Sequence, residues 1–94
     1  MDPQLLGDVK NYINVTWDDL STDNKITGII MRGMAFLDGV AGCAQNYLAE
    51  DFPRSLLFDY VRYCWADSIE HFKVNFLSEL NMLRSSERIN EKAL

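Results

Sequence analysis

Residues 21–42 read STDNKITGIIMRGMAFLDGVAG, and the spacing of apolar positions in this stretch decides the fold class. Ile26, Ile29, Ile30, Gly33, Met34, Leu37, Val40 and Ala41 recur at i, i+3, i+4 and i+7, which gathers them on one side of a helix with a 3.6-residue repeat. Ser21, Thr22 and Asp23 offer side-chain acceptors to the orphan N–H groups of a first turn. Gly42 stands where a left-handed residue closes a helix. The stretch predicts a long amphipathic helix from about Thr22 to Ala41.

Working outward, Asp2 followed by Pro3 reads as an N-cap and first helical position, and Leu5, Leu6, Val9, Tyr12 and Ile13 continue a short helix. Asn14 to Leu20 breaks the pattern with β-branched Val15 and Thr16 and the acidic pair Asp18-Asp19. It is expected to be a connecting loop with Trp17 tucked inward. Residues 43–52 form a second loop up to Pro53. A second long helix then places Leu57, Phe58, Val61, Cys64, Trp65, Ile69, Phe72 and Phe76 on one broad face, opposite Asp59, Arg62, Glu70 and Lys73. Leu80 and Leu83 extend the stripe, either in the same helix or in a fourth after a bend near Asn75. No strand-like alternation or internal repeat interrupts this reading.

The expected fold is all-α, a compact bundle of three to four helices, two of them long. Residues 1–84 form the domain, and residues 85–94, with Arg88, Glu91 and Lys92, form a polar tail that frays or reaches a neighbouring subunit. The expected core is Leu5, Val9, Ile26, Ile30, Leu37, Leu57, Val61, Trp65 and Phe72.

A length of 94 residues leaves room for one core, and 48% hydrophobic residues with only 5 Gly and 2 Pro exclude disordered and collagen-like classes. A core of this size supplies roughly 3–5 kcal/mol of net stability, so association with other subunits is a common way to complete it. The formal net charge is −5, from 14 acidic and 9 basic side chains. Nucleic-acid affinity rests on cations displacing counterions, so a free-standing DNA binder is not expected. An acidic wall suits a conduit along which DNA slides without sticking. Cys43 and Cys64 lie in apolar sequence without CxxC spacing, so neither zinc nor a disulfide framework is indicated and a reducing cytosol is expected. Met1-Asp2-Pro3 lacks a basic leader, and no apolar run reaches the roughly 18–20 residues of a membrane span, so export and membrane insertion are not expected.

Chemistry is sparse. His71 is the sole histidine, set between Glu70 and Phe72 without a nucleophile or orienting group, and reads as a boundary residue. Asp18, Asp19 and Asp23 lack the glycine and terminal bidentate glutamate of a calcium loop, and fit the start of a helix instead. Gly28, Gly33, Gly39 and Gly42 follow no strand, which rules out a phosphate loop. No catalytic, metal or cofactor residue is expected. At 100° per residue Gly28, Ala35 and Gly39 share the face opposite the apolar stripe, where small side chains allow another helix close approach; the alternative is that they are merely exposed. The aromatic row Phe58, Tyr60, Tyr63, Trp65, Phe72 and Phe76 reads as core except for Tyr63. That residue is expected to project among Asp59, Arg62 and Asp67 as part of an interface.

Leu5-Leu6, Asp8-Val9-Lys10 with Tyr12, Trp17-Asp18, Thr22-Asp23, Lys25-Ile26, and Ile29-Ile30 with Arg32-Gly33 form an ordered set of segments. Arg54, Leu56-Leu57-Phe58-Asp59-Tyr60, Arg62-Tyr63, Phe76, Ser78-Glu79-Leu80 and Leu83-Arg84 continue it through nearly the whole chain. Taken in order, these segments resemble the small head-tail connector, or adaptor, proteins of tailed bacteriophages and prophages. The resemblance implies a helical subunit, made in the bacterial host cytoplasm, that joins a closed homo-oligomeric ring beneath the portal protein at the head-tail junction of the virion. Such a ring extends the DNA channel, through which DNA passes without specific binding, and docks the next connector, stopper or tail protein. It implies no cofactor and no membrane partner, and its pattern marks Arg32, Arg54, Asp59 and Arg62 as polar helical positions. The candidate subunit interface is Gly28, Arg32, Ala35, Gly39, Asp59, Arg62 and Tyr63.

Two other classes compete. A small helical DNA-binding regulator draws on Gly42 followed by a second helix, against the absence of a basic recognition face. A helical enzyme subunit or metal protein ranks behind it.

Overall fold

Asp2 accepts hydrogen bonds from the Gln4 and Leu5 amides at 2.8 and 3.4 Å, and from this cap helix α1 runs Pro3–Tyr12 in a computed structural model of the chain. The structure describes the backbone of residues 1–93 and the side chains of residues 1–85. Helices α2 (Leu20–Ala41), α3 (Phe52–Trp65), α4 (Phe72–Asn75) and α5 (Leu77–Ala93) follow, with a short 3₁₀ turn at Ile69–His71. The fold is all-α, with no strand among the described residues. Among the described residues five helices replace the three or four expected, and α4 is only one turn long. The boundary expected between residues 84 and 85 falls inside α5, and the tail side chains Arg88, Glu91 and Lys92 lie outside the described residues.

Each helix end has a local cause. Asp19, rather than Ser21, Thr22 or Asp23, caps α2, accepting from the Thr22 amide at 3.0 Å and the Thr22 hydroxyl at 2.9 Å. Gly42, at φ 85°, closes α2 as its sequence position implied. The helix expected onward from Pro53 instead stops at Trp65. The Ser68 amide donates to the Tyr63 carbonyl and the Asp67 amide to that of Cys64, with Asp67 at φ 60°. This paired closure usually uses glycine, and aspartate is one of the few other residues that adopts a left-handed conformation. Asn14 ends α1 in the same way at φ 64°, with Val15 donating to the Lys10 carbonyl. Val15 is thereby turned into the core at 5% exposure, and Trp17, expected inside, stands 51% exposed.

Helix α2 is the centre of the bundle, packing on α3, α5 and α1. Leu5, Val9, Ile26, Ile30, Leu37, Leu57, Val61 and Phe72 are all buried as expected. Trp65 is not; it is half-buried beneath the Lys25 ammonium, 5.3 Å from its ring, because α3 ends at this residue. Ile13, Val15, Ile29, Ala41, Tyr47, Leu56, Leu80 and Leu83 join them in the core. Phe72 lies at its aromatic end, stacked on Phe76 at 4.8 Å and edge-on to Tyr60 and Tyr63 at 5.4 and 5.7 Å.

The crossing of α2 and α3 depends on Gly33. A Cβ there would lie 2.7 Å from Tyr60 Cδ1 and 2.9 Å from Leu57 Cδ1. Neither neighbour has room to retreat: Leu57 is fully buried, and the Tyr60 ring is held between Phe36 and Phe72. At Gly39, by contrast, a Cβ meets nothing within 4 Å. Gly33→Ala should therefore lower stability by about 1–2 kcal/mol, overpacking exceeding the gain in helix propensity, while Gly39→Ala should raise it by up to about 1 kcal/mol. Urea unfolding of the two variants beside the parent checks both signs.

Candidate functional site

The outward face of α2 carries Gly28, Arg32, Ala35 and Gly39 within about 60° of arc. Arg32, Ala35 and Gly39 are exposed, and Gly28 is half-covered by the Arg32 guanidinium, 3.5 Å from where its Cβ would stand. This part of the expected interface is one continuous surface with little side-chain relief.

Asp59, Arg62 and Tyr63 do not join it. Helix α3 meets α2 across Gly33, about 140° around α2 from Gly28, so its residues belong to another side of the molecule. Asp59 is engaged within the chain, accepting from the Tyr12 hydroxyl at 2.7 Å and from Arg62 at 3.3 Å. That bond is the main reason the Tyr12 hydroxyl is held above its ordinary pKa. Tyr63, expected to project outward, turns into the aromatic cluster instead. Its ring lies edge-on to Phe72 and Phe76, its hydroxyl accepts from the Asn75 amide at 3.0 Å, and the Arg62 guanidinium stands 5.1 Å from its centre. The break at Asp67 folds residues 69–76 back against α3, which covers the face that an unbroken helix would leave open. Arg62 alone of the three remains exposed.

Two buried cations that periodicity passed over tie the loops to the helices. Lys10, with a side chain 9% exposed, lies 2.9 Å from Asp18 and 2.8 Å from Asp23 and so fastens the α1–α2 loop. The bonds to Asp23 and then Asp18 raise the Lys10 pKa, and Lys10 in turn lowers that of Asp18. Asp19 is also held low, chiefly by the Thr22 amide it caps. Asp19 and Asp23 thus start a helix as expected, while Asp18 precedes the cap and holds Lys10. Arg54 donates to Asp8 at 2.7 Å and to the Tyr47 carbonyl at 3.1 Å, approaches Glu50 at 3.4 Å, and rests on the Phe58 ring. Both cations occupy stripe positions, Lys10 beside Leu6 and Val9, Arg54 before Leu57 and Phe58. A charge interrupting an apolar stripe is the signal that marks such a buried pair.

The α2–α3 loop is organised by Asp38, which accepts from the Tyr47 hydroxyl at 2.6 Å and the Gln45 amide at 3.1 Å. Burial, then the Asp38 bond, pushes the Tyr47 pKa well above the tyrosine range. Cys43, expected in apolar surroundings, is exposed because Gly42 releases the chain into this loop; Cys64 is half-buried. His71 is exposed, 3.7 Å from the Glu70 carboxylate. No cluster of three or more potential metal ligands occurs among the described residues. No helix among them is long and apolar enough to cross a membrane.

Arg54→Ala should destabilise the chain by about 2–3 kcal/mol, since it leaves the buried Tyr47 carbonyl unpaired and removes the tie from Asp8 to α3. Thermal melts of Arg54→Ala beside Arg54→Lys, which retains charge but not the fork, check this. Folding raises the pKa of both Tyr47 and Lys10, so their contribution is complete below about pH 10 and is lost as pH rises through the folded values. Asp18 and Asp19 contribute above about pH 4 and lose that contribution as pH falls. Stability measured against pH should fall on both sides, and Tyr47→Phe should flatten the alkaline limb. No family model, curated protein or solved structure matches the chain.

Proposed function

We propose that the chain is a structural subunit of a phage head-tail connector, joining a ring beneath the portal protein. The ring extends the DNA channel and docks the next connector, stopper or tail protein. The observation that carries this reading is the outward face of α2, the longest helix of the bundle, where Ala35 and Gly39 are exposed and Gly28 lies beneath the Arg32 side chain. Interior glycines weaken a helix by about 1 kcal/mol each, and a close-packed neighbouring subunit is the return for that cost. Sequence order supports the same reading through the segments from Leu5 to Arg84 that resemble the connector family. The net charge of −5 fits a wall that DNA passes without adhering.

Negative-stain microscopy of the chain mixed with portal rings should show annular extensions at the portal; undecorated portals at saturating chain overturn the reading. Duplex DNA should not be retarded by the isolated chain at physiological salt, where phosphate contacts would supply most of the affinity. Tight, salt-sensitive retardation would instead favour a DNA-binding regulator. Gly39→Leu has open space to fill, so it should melt no lower than the parent yet fail to build rings. Normal assembly by that variant would move the contact to the exposed α3 surface around Arg62.

A further inference from the structure

Two grooves border α2. One, of about 400 Å³, runs between the start of α1 and the α2–α3 loop with Met31 and Leu48 exposed on it. The acids beside it are already engaged: Asp2 caps α1, while Asp8 and Glu50 hold Arg54. The other groove, of about 230 Å³, lies between the C-terminal half of α2 and the start of α5. Phe36, Val40, Leu77 and Leu80 give it apolar walls, Lys73 and Arg84 stand on it, and Leu77 is 60% exposed.

The cations of this second groove belong to a longer row. Lys10, Arg54 and Arg62 each reach a carboxylate within 4 Å, whereas Lys25, Arg32, Lys73 and Arg84 reach none among the described residues. All four are exposed. Lys25 and Arg32 lie within about 40° of Phe36 around α2, and Lys73 stands 5.3 Å from the centre of the Phe36 ring. Lys25 stands at the same distance, 5.3 Å, from Trp65. An aromatic face orients an ammonium without neutralising it. The acids nearest in sequence are turned elsewhere: Asp23 holds Lys10, Glu70 stands beside His71, and Glu79 lies about 200° from Leu77 around α5. A chain of net charge −5 thus sets four unpaired cations around one apolar slot.

We infer that this face docks an acidic amphipathic helix of a different protein, an apolar side chain of that helix entering between Phe36, Val40 and Leu77 while its carboxylates meet Lys73 and Arg84 across the slot and Lys25 and Arg32 along α2. The slot and the charges together select the occupant. A duplex offers phosphates but no apolar side chain, whereas an acidic amphipathic helix offers carboxylates and an apolar anchor at helical spacing. Lys25 and Arg32 are seven residues apart, two turns of α2, so carboxylates at the same separation on an aligned helix face both at once. The inference does not rest on the connector reading.

The probe is a synthetic helical peptide of about 16 residues with Leu on one face and Glu elsewhere, beside a counterpart carrying Gln for every Glu. Amide spectra of the labelled chain should show the Glu peptide binding with a Kd on the order of 100 μM at about 50 mM salt, with shifts centred on residues 32–40 and 73–84. The Gln peptide should bind about tenfold more weakly. Lys73→Glu combined with Arg84→Glu alters only exposed positions, so it should melt with the parent yet weaken the Glu peptide about tenfold or more. Met31→Gln, on the other groove, should leave that binding unchanged. The inference is overturned by equal binding of the two peptides, by binding that survives the double variant, by shifts centred on the Met31–Leu48 groove, or by a Kd above about 1 mM. A duplex oligonucleotide that shifts the same amides at lower concentration than the peptide also overturns it, in favour of nucleic acid. Peptide docking by a chain that ignores portal rings keeps this face and removes the connector reading. Portal decoration by a chain indifferent to the peptide does the reverse.

Discussion

Gly33 lets the Tyr60 ring and Leu57 lie directly against the backbone of α2, and the placement of the other helices follows from that approach. With α3 drawn in, Tyr60 is positioned to receive Phe36 and Phe72, and Phe72 brings the segment after the Asp67 break back onto the bundle. Dispersion and hydrophobic gains fall off steeply with separation, so a side chain at residue 33 would disturb this whole aromatic end as well as one contact. The glycines of α2 thus divide by face. Gly33 is fixed by packing inside the chain, while among the described residues nothing lies within 4 Å of a Cβ placed at Gly39.

The polar ties complement this core. Lys10 and Arg54 each gather partners from separate segments: Asp18 and Asp23 in one case, Asp8, Tyr47 and Glu50 in the other. A small domain has few apolar contacts to hold its loops, and a buried cation satisfying several acceptors at once does so with one side chain. Both loops are pinned close to the groove side of the molecule or to the start of α2. The grooves that border α2 are consequently framed by ordered elements, with exposed apolar side chains at Met31, Leu48 and Leu77.

Sequence alone determined the helical class, the C-terminal end of α2, the caps at Asp2 and Gly42, and the shared face of Gly28, Ala35 and Gly39. All of these follow from interactions within four residues along the chain, which periodicity and capping chemistry record directly. Most of the core was also readable, because an apolar stripe has only one interior to enter. Tertiary structure decided the rest. Asp67 ends α3 with a left-handed closure, although aspartate is also acceptable within a helix, and residues 69–76 then pack against Tyr63 and the α3 face. That reversal turns Tyr63 inward, and the end of α3 leaves Trp65 at the rim, half-covered by Lys25. Arg54 is buried through Asp8, 46 residues away, and Tyr12 meets Asp59 across 47. Local spacing specifies which side of a helix is apolar; which partners meet a charge or a ring on its margin depends on how the helices are brought together in space.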